Sequence, residues 1–288
     1  MIREDSLAGG VTDTLTRACG RVEDREASLA RRRLGFWSRF AVCLVKPPLI
    51  ALTKRDWRGW EHIPADGGVI LAVNHVSHAD PFTTAHYVYD SGRWPQFLGK
   101  ESVFRIPLAG KILYWCRQIP VHRGTADAVK ALDAAVAAVR AGGAIVIYPE
   151  GTTTKEPDLW PMRGKTGVAR LALATGAPVI PIATWGPEKI FDPRTKKIRL
   201  MPKIPVSLWA GPPVDLSKWA GAEPSATVLN EMTDAVMIRL RDLLAEIRGG
   251  QAPPIWSPGG GDAAADQAVT AAADKPARPD AASKDGAR

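Results

Sequence analysis

Residues 69–82 read VILAVNHVSHADPF, and the change of character inside this stretch decides the fold. Val69–Val73 is an unbroken apolar run with no polar alternation, as in a strand covered on both faces of a parallel sheet. It stops at Asn74. Two histidines three apart then lead to Asp80 and Pro81, in a chain with only five histidines. Proline is favoured in the first turn of a helix, so the stretch predicts strand, loop, helix. In open α/β sheets, reactive and ligand-binding residues gather on loops beyond the carboxyl ends of strands. The loop at 74–80 is therefore the candidate site.

The same alternation continues outward from this stretch, from Gly67 to about Gly211. PQFLGK, QIPVHR, AIVIYPEG and PVIPIATW read as further strands, with VSLWAGPPV closing the sheet. Helices are expected at about 81–89, in LAGKILYWC, in GTADAVKALDAAVAAVRAGG with Gly142–Gly143 ending it, and in KTGVARLALATG. ATVLNEMTDAVMIRLRDLLAEIR is an amphipathic terminal helix. The expected architecture is α/β, a largely parallel central sheet flanked by helices. No GxGxxG or GxxxxGK[ST] fingerprint is present, so the nucleotide-binding versions of this architecture are not indicated.

The flanks differ from this core. Residues 1–30 form a polar extension without the apolar run of a secretory signal. Residues 31–56 mix aromatic and aliphatic residues with Arg39, Lys46 and Pro47–Pro48. A charge near a bilayer centre costs about 3 kcal/mol, and two prolines break a helix. The expectation is an amphipathic helical hairpin lying at a membrane interface, not a span. Residues 57–248, which carry the candidate loop, are expected to form the catalytic domain. Residues 249–288, rich in Ala, Pro and Gly, are expected to be disordered. A formal charge of +8 favours acidic partners: anionic lipid surfaces, phosphate-bearing substrates or nucleic acid. Three cysteines without CxxC spacing make neither a disulfide framework nor a zinc site, which points to a reducing compartment.

His75 and Asp80 stand five residues apart, a turn of about 500° on a helix at roughly 100° per residue. They can meet only if the segment is a wound loop. An imidazole held by a carboxylate is the usual general base near neutral pH. No GxSxG elbow supplies a nucleophile, and nothing places Ser77 for attack, so the base would activate a substrate hydroxyl. A metal site built on His75, His78 and Asp80, extended by His86 or Glu150, is the rival, although no HExxH helix or second His/Cys cluster accompanies it. A capping or core role for His75 is the third reading. IPVHRG (119–124) and YPEGTTT (148–154) also end strands of the same sheet. Arg123 would then offer a phosphate fork at the same edge, and the Gly151 loop could line an anionic group.

With these residues in view, the chain resembles the glycerolipid acyltransferases that carry an NHxxxxD motif. NHVSHAD is similar to that motif, VHRG to the arginine block, YPEGTTT to FPEGTRS and VIPIA to the fourth block, in the family's order over about residues 57–215. The nearest likeness is to bacterial 1-acyl-sn-glycerol-3-phosphate acyltransferases. The resemblance implies transfer of an acyl group from acyl-CoA or acyl-carrier protein to the free hydroxyl of a lysophospholipid acceptor, 1-acyl-sn-glycerol-3-phosphate, giving phosphatidic acid, with no metal or other cofactor. It implies His75 as base and Asp80 as its partner. Lys100, Arg123, Glu150, Gly151 and Thr152 would bind substrate. Oxyanion donors are expected among backbone N–H groups beside His75 or in the Glu150 loop. Thr153 and Thr154 depart from the family's Arg-Ser and lose a phosphate contact; Arg163 and Lys165 either offset that loss or are basic surface. The implied setting is peripheral, on the cytoplasmic face of an anionic membrane. Acylation of glycerol-3-phosphate or another lysophospholipid, a metal-dependent phospholipid hydrolase, and a lipid- or nucleic-acid-binding protein are the alternatives.

Overall fold

The computed structural model describes residues 35–121, 127–200 and 203–257. After helix α1 (Phe36–Leu52) and strand β1 (Thr53–Arg58), the chain runs β2 (Val69–Val73), α2 (Asp80–Asp90), β3 (Pro95–Lys100), the short α3 (Glu101–Phe104) and α4 (Ala109–Trp115). It continues through β4 (Ile119–Val121), α5 (Asp127–Arg140), β5 (Ala144–Ile147), α6 (Gly167–Thr175), β6 (Val179–Trp185), β7 (Ile204–Ala210) and α7 (Ala226–Arg248).

The seven strands form one sheet in the order β1-β7-β6-β2-β5-β3-β4, parallel at every pairing except the antiparallel β6–β7. The apolar runs of β2, β5 and β6 occupy adjacent central positions, as their composition requires. Successive side chains of a strand point to opposite faces, and β2 serves two cores in this way. Ile70 and Ala72 pack with α5, α6 and α7, whereas Val69, Leu71 and Val73 pack with Tyr87 and Val88 of α2 and with Leu208 of β7. The result is three layers, with helices on both faces of a sheet.

Two expectations about the flanks change. The break foreseen at Pro47–Pro48 does not occur: α1 is one helix through both prolines, ending on a Thr53 N–H to Leu49 O bond. The described residues therefore show a single helix in place of a hairpin. Proline interrupts a helix by withholding an N–H and crowding the carbonyl four residues back. Here α1 is held from outside its own ladder, by a 2.7 Å ion pair between Lys46 and Asp90 and by Trp37 stacked 4.0 Å from Trp115 of α4. Lys54 and Arg55, assigned to the interface helices, belong instead to β1, which pairs with β7 from Thr53–Ile204 to Arg58–Trp209. Among the described residues no helix is long and apolar enough to cross a membrane.

At the other end, residues 251–257 are anchored in part. Trp256 bridges Met162 in parallel, and the Arg163 N–H donates to Trp256 O at 2.8 Å. Residues 1–34 and 258–288 lie outside the described residues. A cavity of about 320 Å³ lies between Arg58, His62, Trp209 and Arg239, at the end of β1 and β7 remote from the loop of His75.

Candidate active site

The loop after β2 is wound around one carboxylate. Asp80, fully buried, accepts three N–H bonds on the same oxygen: from Val76 N (2.7 Å), Ser77 N (2.8 Å) and the His75 ring Nδ1 (2.8 Å). The side chain thus reaches back from the first turn of α2 to fold the loop that precedes it. This brings together the pair that a regular helix would have separated. Because Oδ2 also receives two backbone N–H groups it acts as an acceptor, so Nδ1 carries the hydrogen and Nε2 is left with its lone pair. Burial pushes the Asp80 carboxyl above its usual value, opposed by the hydrogen bond and charge of His75 and then by the two backbone N–H groups.

Three further contacts fix the imidazole. Asn74 ties the start of the loop to the end of β6, donating to Thr184 O (3.1 Å) and accepting from Thr184 N (2.7 Å). Tyr148, at the end of β5, lies 4.3 Å from the His75 ring at 25°, and its hydroxyl pairs with Thr84 of α2 at 3.3 Å. Glu150 accepts from the His75 N–H (2.8 Å) and the Met162 N–H (3.2 Å), one on each oxygen. Burial raises its carboxyl to about 8; the two N–H groups and Thr154 pull it down, while the charge of Asp80 adds to the rise. The 150s loop returns the grip, since Thr154 N donates to His75 O at 2.7 Å.

The expected site residues meet this frame differently. His75 and Asp80 are joined directly. Glu150 lies at the same edge but turns both oxygens on the backbone, so what it visibly does is hold His75 and the 162 segment. Gly151 has φ +70, a backbone state suited to glycine, and a Cβ there would meet the Lys165 side chain at 3.2 Å. Lys165 therefore crosses directly over the Gly151 turn. Thr152 is half-buried beside it, and Lys100 is exposed at the end of β3 on the same sheet edge. Arg123 lies outside the described residues, two positions beyond Val121 at the end of β4.

Ser77 is buried, its hydroxyl donating to Phe191 O (2.6 Å) and accepting from Ala79 N (3.0 Å), which is a bracing role and not that of a nucleophile. The donor set of the rival metal site does not converge. The rings of His75 and His78 are 6.3 Å apart, and the Asp80 oxygen facing His75 already accepts three N–H groups. His86 faces Asp90 from the interior, with Trp57 edge-on at 4.6 Å. Among the described residues no three His, Cys, Asp or Glu side chains are grouped to hold an ion.

A histidine at the carboxyl edge of the sheet, held through Nδ1 by a buried carboxylate and with no protein nucleophile beside it among the described residues, has the chemistry of a general base toward a substrate hydroxyl. Comparison with known proteins agrees with that class. Residues 54–185, from β1 to the end of β6, match the family model described as Acyltransferase. The chain is 31% identical over 139 residues to a chloroplastic 1-acyl-sn-glycerol-3-phosphate acyltransferase of Brassica napus, covering 48% of this chain and 39% of that one. It is 29% identical over 161 residues to the 1-acyl-sn-glycerol-3-phosphate acyltransferase of Borreliella burgdorferi, covering 56% of this chain and 61% of the other. The matches thus span between about two fifths and three fifths of these relatives. The crystal structure of a 1-acyl-sn-glycerophosphate acyltransferase from Thermotoga maritima superposes with a TM-score of 0.52 at 22% identity, over 82% of this chain and 85% of that one, a likeness of fold.

Proposed function

We propose that the protein transfers a fatty acyl group from a thioester, acyl-CoA or acyl-carrier protein, to the free hydroxyl of 1-acyl-sn-glycerol-3-phosphate. The observation that carries this reading is the three-point grip of Asp80 on the His75 loop, which commits Nδ1 and leaves Nε2 as the base. Nε2 removes the acceptor hydroxyl proton, and the oxygen attacks the thioester carbonyl. Collapse of the tetrahedral intermediate breaks the C–S bond, and the departing sulfur takes the proton back from Nε2. Asp80 stabilises the imidazolium formed between these steps.

The oxyanion is assigned to the Glu150 loop. The N–H groups of His75, Val76 and Ser77 are committed to Glu150 and Asp80, Gly151 N donates to Tyr148 O, and Thr154 N to His75 O. The N–H groups of Thr152 and Thr153 are the candidates that follow. Arg123 and Lys165 are assigned to the acceptor phosphate and Lys100 to the donor side, while Glu150 acts as a positioning residue. Exposed Phe36, Phe40, Leu44 and Ile50 along α1 support a peripheral seat on an anionic bilayer.

The test is acyl transfer from palmitoyl-CoA to 1-acyl-glycerol-3-phosphate by purified protein with EDTA present, wild type beside His75→Ala. Transfer by wild type alone, with equal thermal melts, is the expected result. Retained transfer in a folded His75→Ala protein refutes the mechanism.

A further inference from the structure

Between β6 and β7, residues 186–200 form a small hairpin that the reaction described above does not use. The backbone leaves β6 at Gly186, whose φ of +111 and whose approach to Pro205 O, 2.1 Å from where a Cβ would stand, admit no side chain. Phe191 and Ile198 then pair across an antiparallel bridge, with Asp192 N donating to Lys197 O (3.0 Å) and Arg199 N to Ile190 O (2.8 Å). Asp192 closes the turn by accepting from the N–H groups of Arg194 and Thr195.

This hairpin is built into the active-site edge. The Ser77 hydroxyl, inside the His75 loop, donates to Phe191 O, and the Phe191 ring meets His78 edge-on at 5.5 Å. The Arg194 guanidinium donates to Glu156 O at 3.0 Å and to Pro157 O, bracing the hairpin against the 150s loop as well. At its far end Ile204 pairs with Thr53, the residue immediately after α1. The hairpin therefore lies between the candidate base and the end of the helix with the exposed apolar face.

Its outer surface has an unusual composition for a loop. Ile198 and Leu200 are 61% and 70% exposed, alternating with exposed Lys197 and Arg199. Residues 186–203 carry six Lys or Arg against two acidic residues, Glu188 and Asp192. Both acids are engaged locally, Glu188 on the Gly186 N–H and Asp192 in the turn. What faces outward is thus apolar tips set among long cationic side chains, whose stems can lie along an apolar phase while their heads stay in water.

We propose that this hairpin is a membrane-docking element. Ile198 and Leu200 enter the acyl boundary of an anionic bilayer, and Lys196, Lys197, Arg199 and Lys203 lie among its phosphates. A bilayer fits better than an acidic protein because two large aliphatic side chains, Ile198 and Leu200, stand exposed and the positive charge surrounds them. At Ile204 the chain also pairs with Thr53, the residue that follows α1 and its exposed apolar side chains. Docking here would bring the bilayer surface to His78, and so to the mouth of the His75 loop, which lets a lipid acceptor reach Nε2 without leaving the interface. The inference deepens the proposed function, resting on an acceptor that resides in lipid.

The experiment is flotation of the full chain with phosphatidylcholine vesicles, with and without phosphatidylglycerol, read without turnover. The charge variant Lys196→Gln/Lys197→Gln/Arg199→Gln should partition on the order of 100-fold less onto anionic vesicles at low salt, each cation near the surface being worth about fivefold. The apolar variant Ile198→Ser/Leu200→Ser should lose roughly 10-fold. Both should keep the wild-type melt and wild-type turnover of a short-chain acceptor dissolved as monomers. Wild-type partitioning by both variants, or no vesicle binding by wild type, overturns the proposal. Unchanged vesicle binding with turnover lost only when acyl-carrier protein is the donor overturns it in favour of an acidic protein partner. Hairpin-dependent vesicle binding by a protein that transfers no acyl group supports the docking element while refuting the proposed reaction.

Discussion

Replacing Asp80 by Asn separates the charge of this residue from its architecture. The carboxylate accepts N–H bonds from Val76, Ser77 and the His75 ring on a single oxygen, while the other oxygen is buried without a hydrogen-bond partner among the described residues. An asparagine oxygen can occupy the first position and keep all three bonds, so the loop and the His75 tautomer survive. What disappears is the negative charge beside the imidazolium that forms during transfer. Two charges about 4 Å apart interact by roughly 4 kcal/mol at an effective dielectric near 20. Some of this is retained by the amide dipole, which leaves a loss of about 3–4 kcal/mol, or on the order of 10² to 10³ in kcat. KM for either substrate should change little, because the charge matters only once the proton has moved. Asp80→Ala differs in kind. It strands two buried backbone N–H groups at about 1–3 kcal/mol each, and should lower the melting temperature as well as the rate. The assay is thiol release from palmitoyl-CoA, run beside thermal melts of both variants. An Asn variant that turns over within about threefold of wild type would refute the idea that the Asp80 charge supports the base.

Glu150, held near 8 by burial, binds a proton in the folded protein at pH values where the unfolded chain has lost it. Its contribution therefore falls as pH rises from about 4.5 to about 8, and the melting temperature of Glu150→Gln relative to wild type should climb over that window. His86 works the other way. Burial lowers it to about 4, so the unfolded state takes up protons first as pH drops below about 6.5, and acid destabilisation between there and 4 should be weaker in His86→Gln. Tyr148→Phe keeps the ring stacked on His75 and loses only a 3.3 Å hydroxyl contact; kcat should stay within about threefold, whereas Tyr148→Ala should cost about 3–5 kcal/mol of stability and more than tenfold in kcat. Truncation after Gly250 removes the Trp256 bridge to Met162, whose N–H binds Glu150; kcat should fall with KM unchanged, read against a full-length control.

Much of this arrangement was legible along the chain because its signals are local. Val69–Val73 could be assigned to a central strand from five apolar residues in a row, and the spacing of His75 and Asp80 stated the condition for their meeting, a wound loop, which the fold fulfils. β1 was not legible. Thr53–Arg58 reads TKRDWR, and it becomes a strand through pairing with β7, some 150 residues later in the chain, so edge position and not composition makes it possible. The continuity of α1 through Pro47–Pro48 depends likewise on Asp90 and Trp115, which are distant in sequence. In the site, YPEGTTT announced a loop at the right edge but not the division of labour within it. That Glu150 reaches back to the His75 N–H, and that Tyr148 supplies the wall of the imidazole, are facts of strand order: β5 lies directly beside β2. A locally visible cue existed for Tyr148, an aromatic ring at the last position before a strand-end loop, but its partner could not be named without the sheet.

The single antiparallel pairing, β6 with β7, has an effect on where the chain can vary. A parallel strand must send its connection back to the far edge of the sheet before the next strand begins. An antiparallel one turns round where it stands, so the connection that leaves β6 at Gly186 and enters β7 at Ile204 starts and ends on the edge that bears His75. Additions or losses there would alter what surrounds the reaction without disturbing the register of any strand that holds it. The reversal thus divides the molecule into a part that must be kept and a part free to adapt to its surroundings.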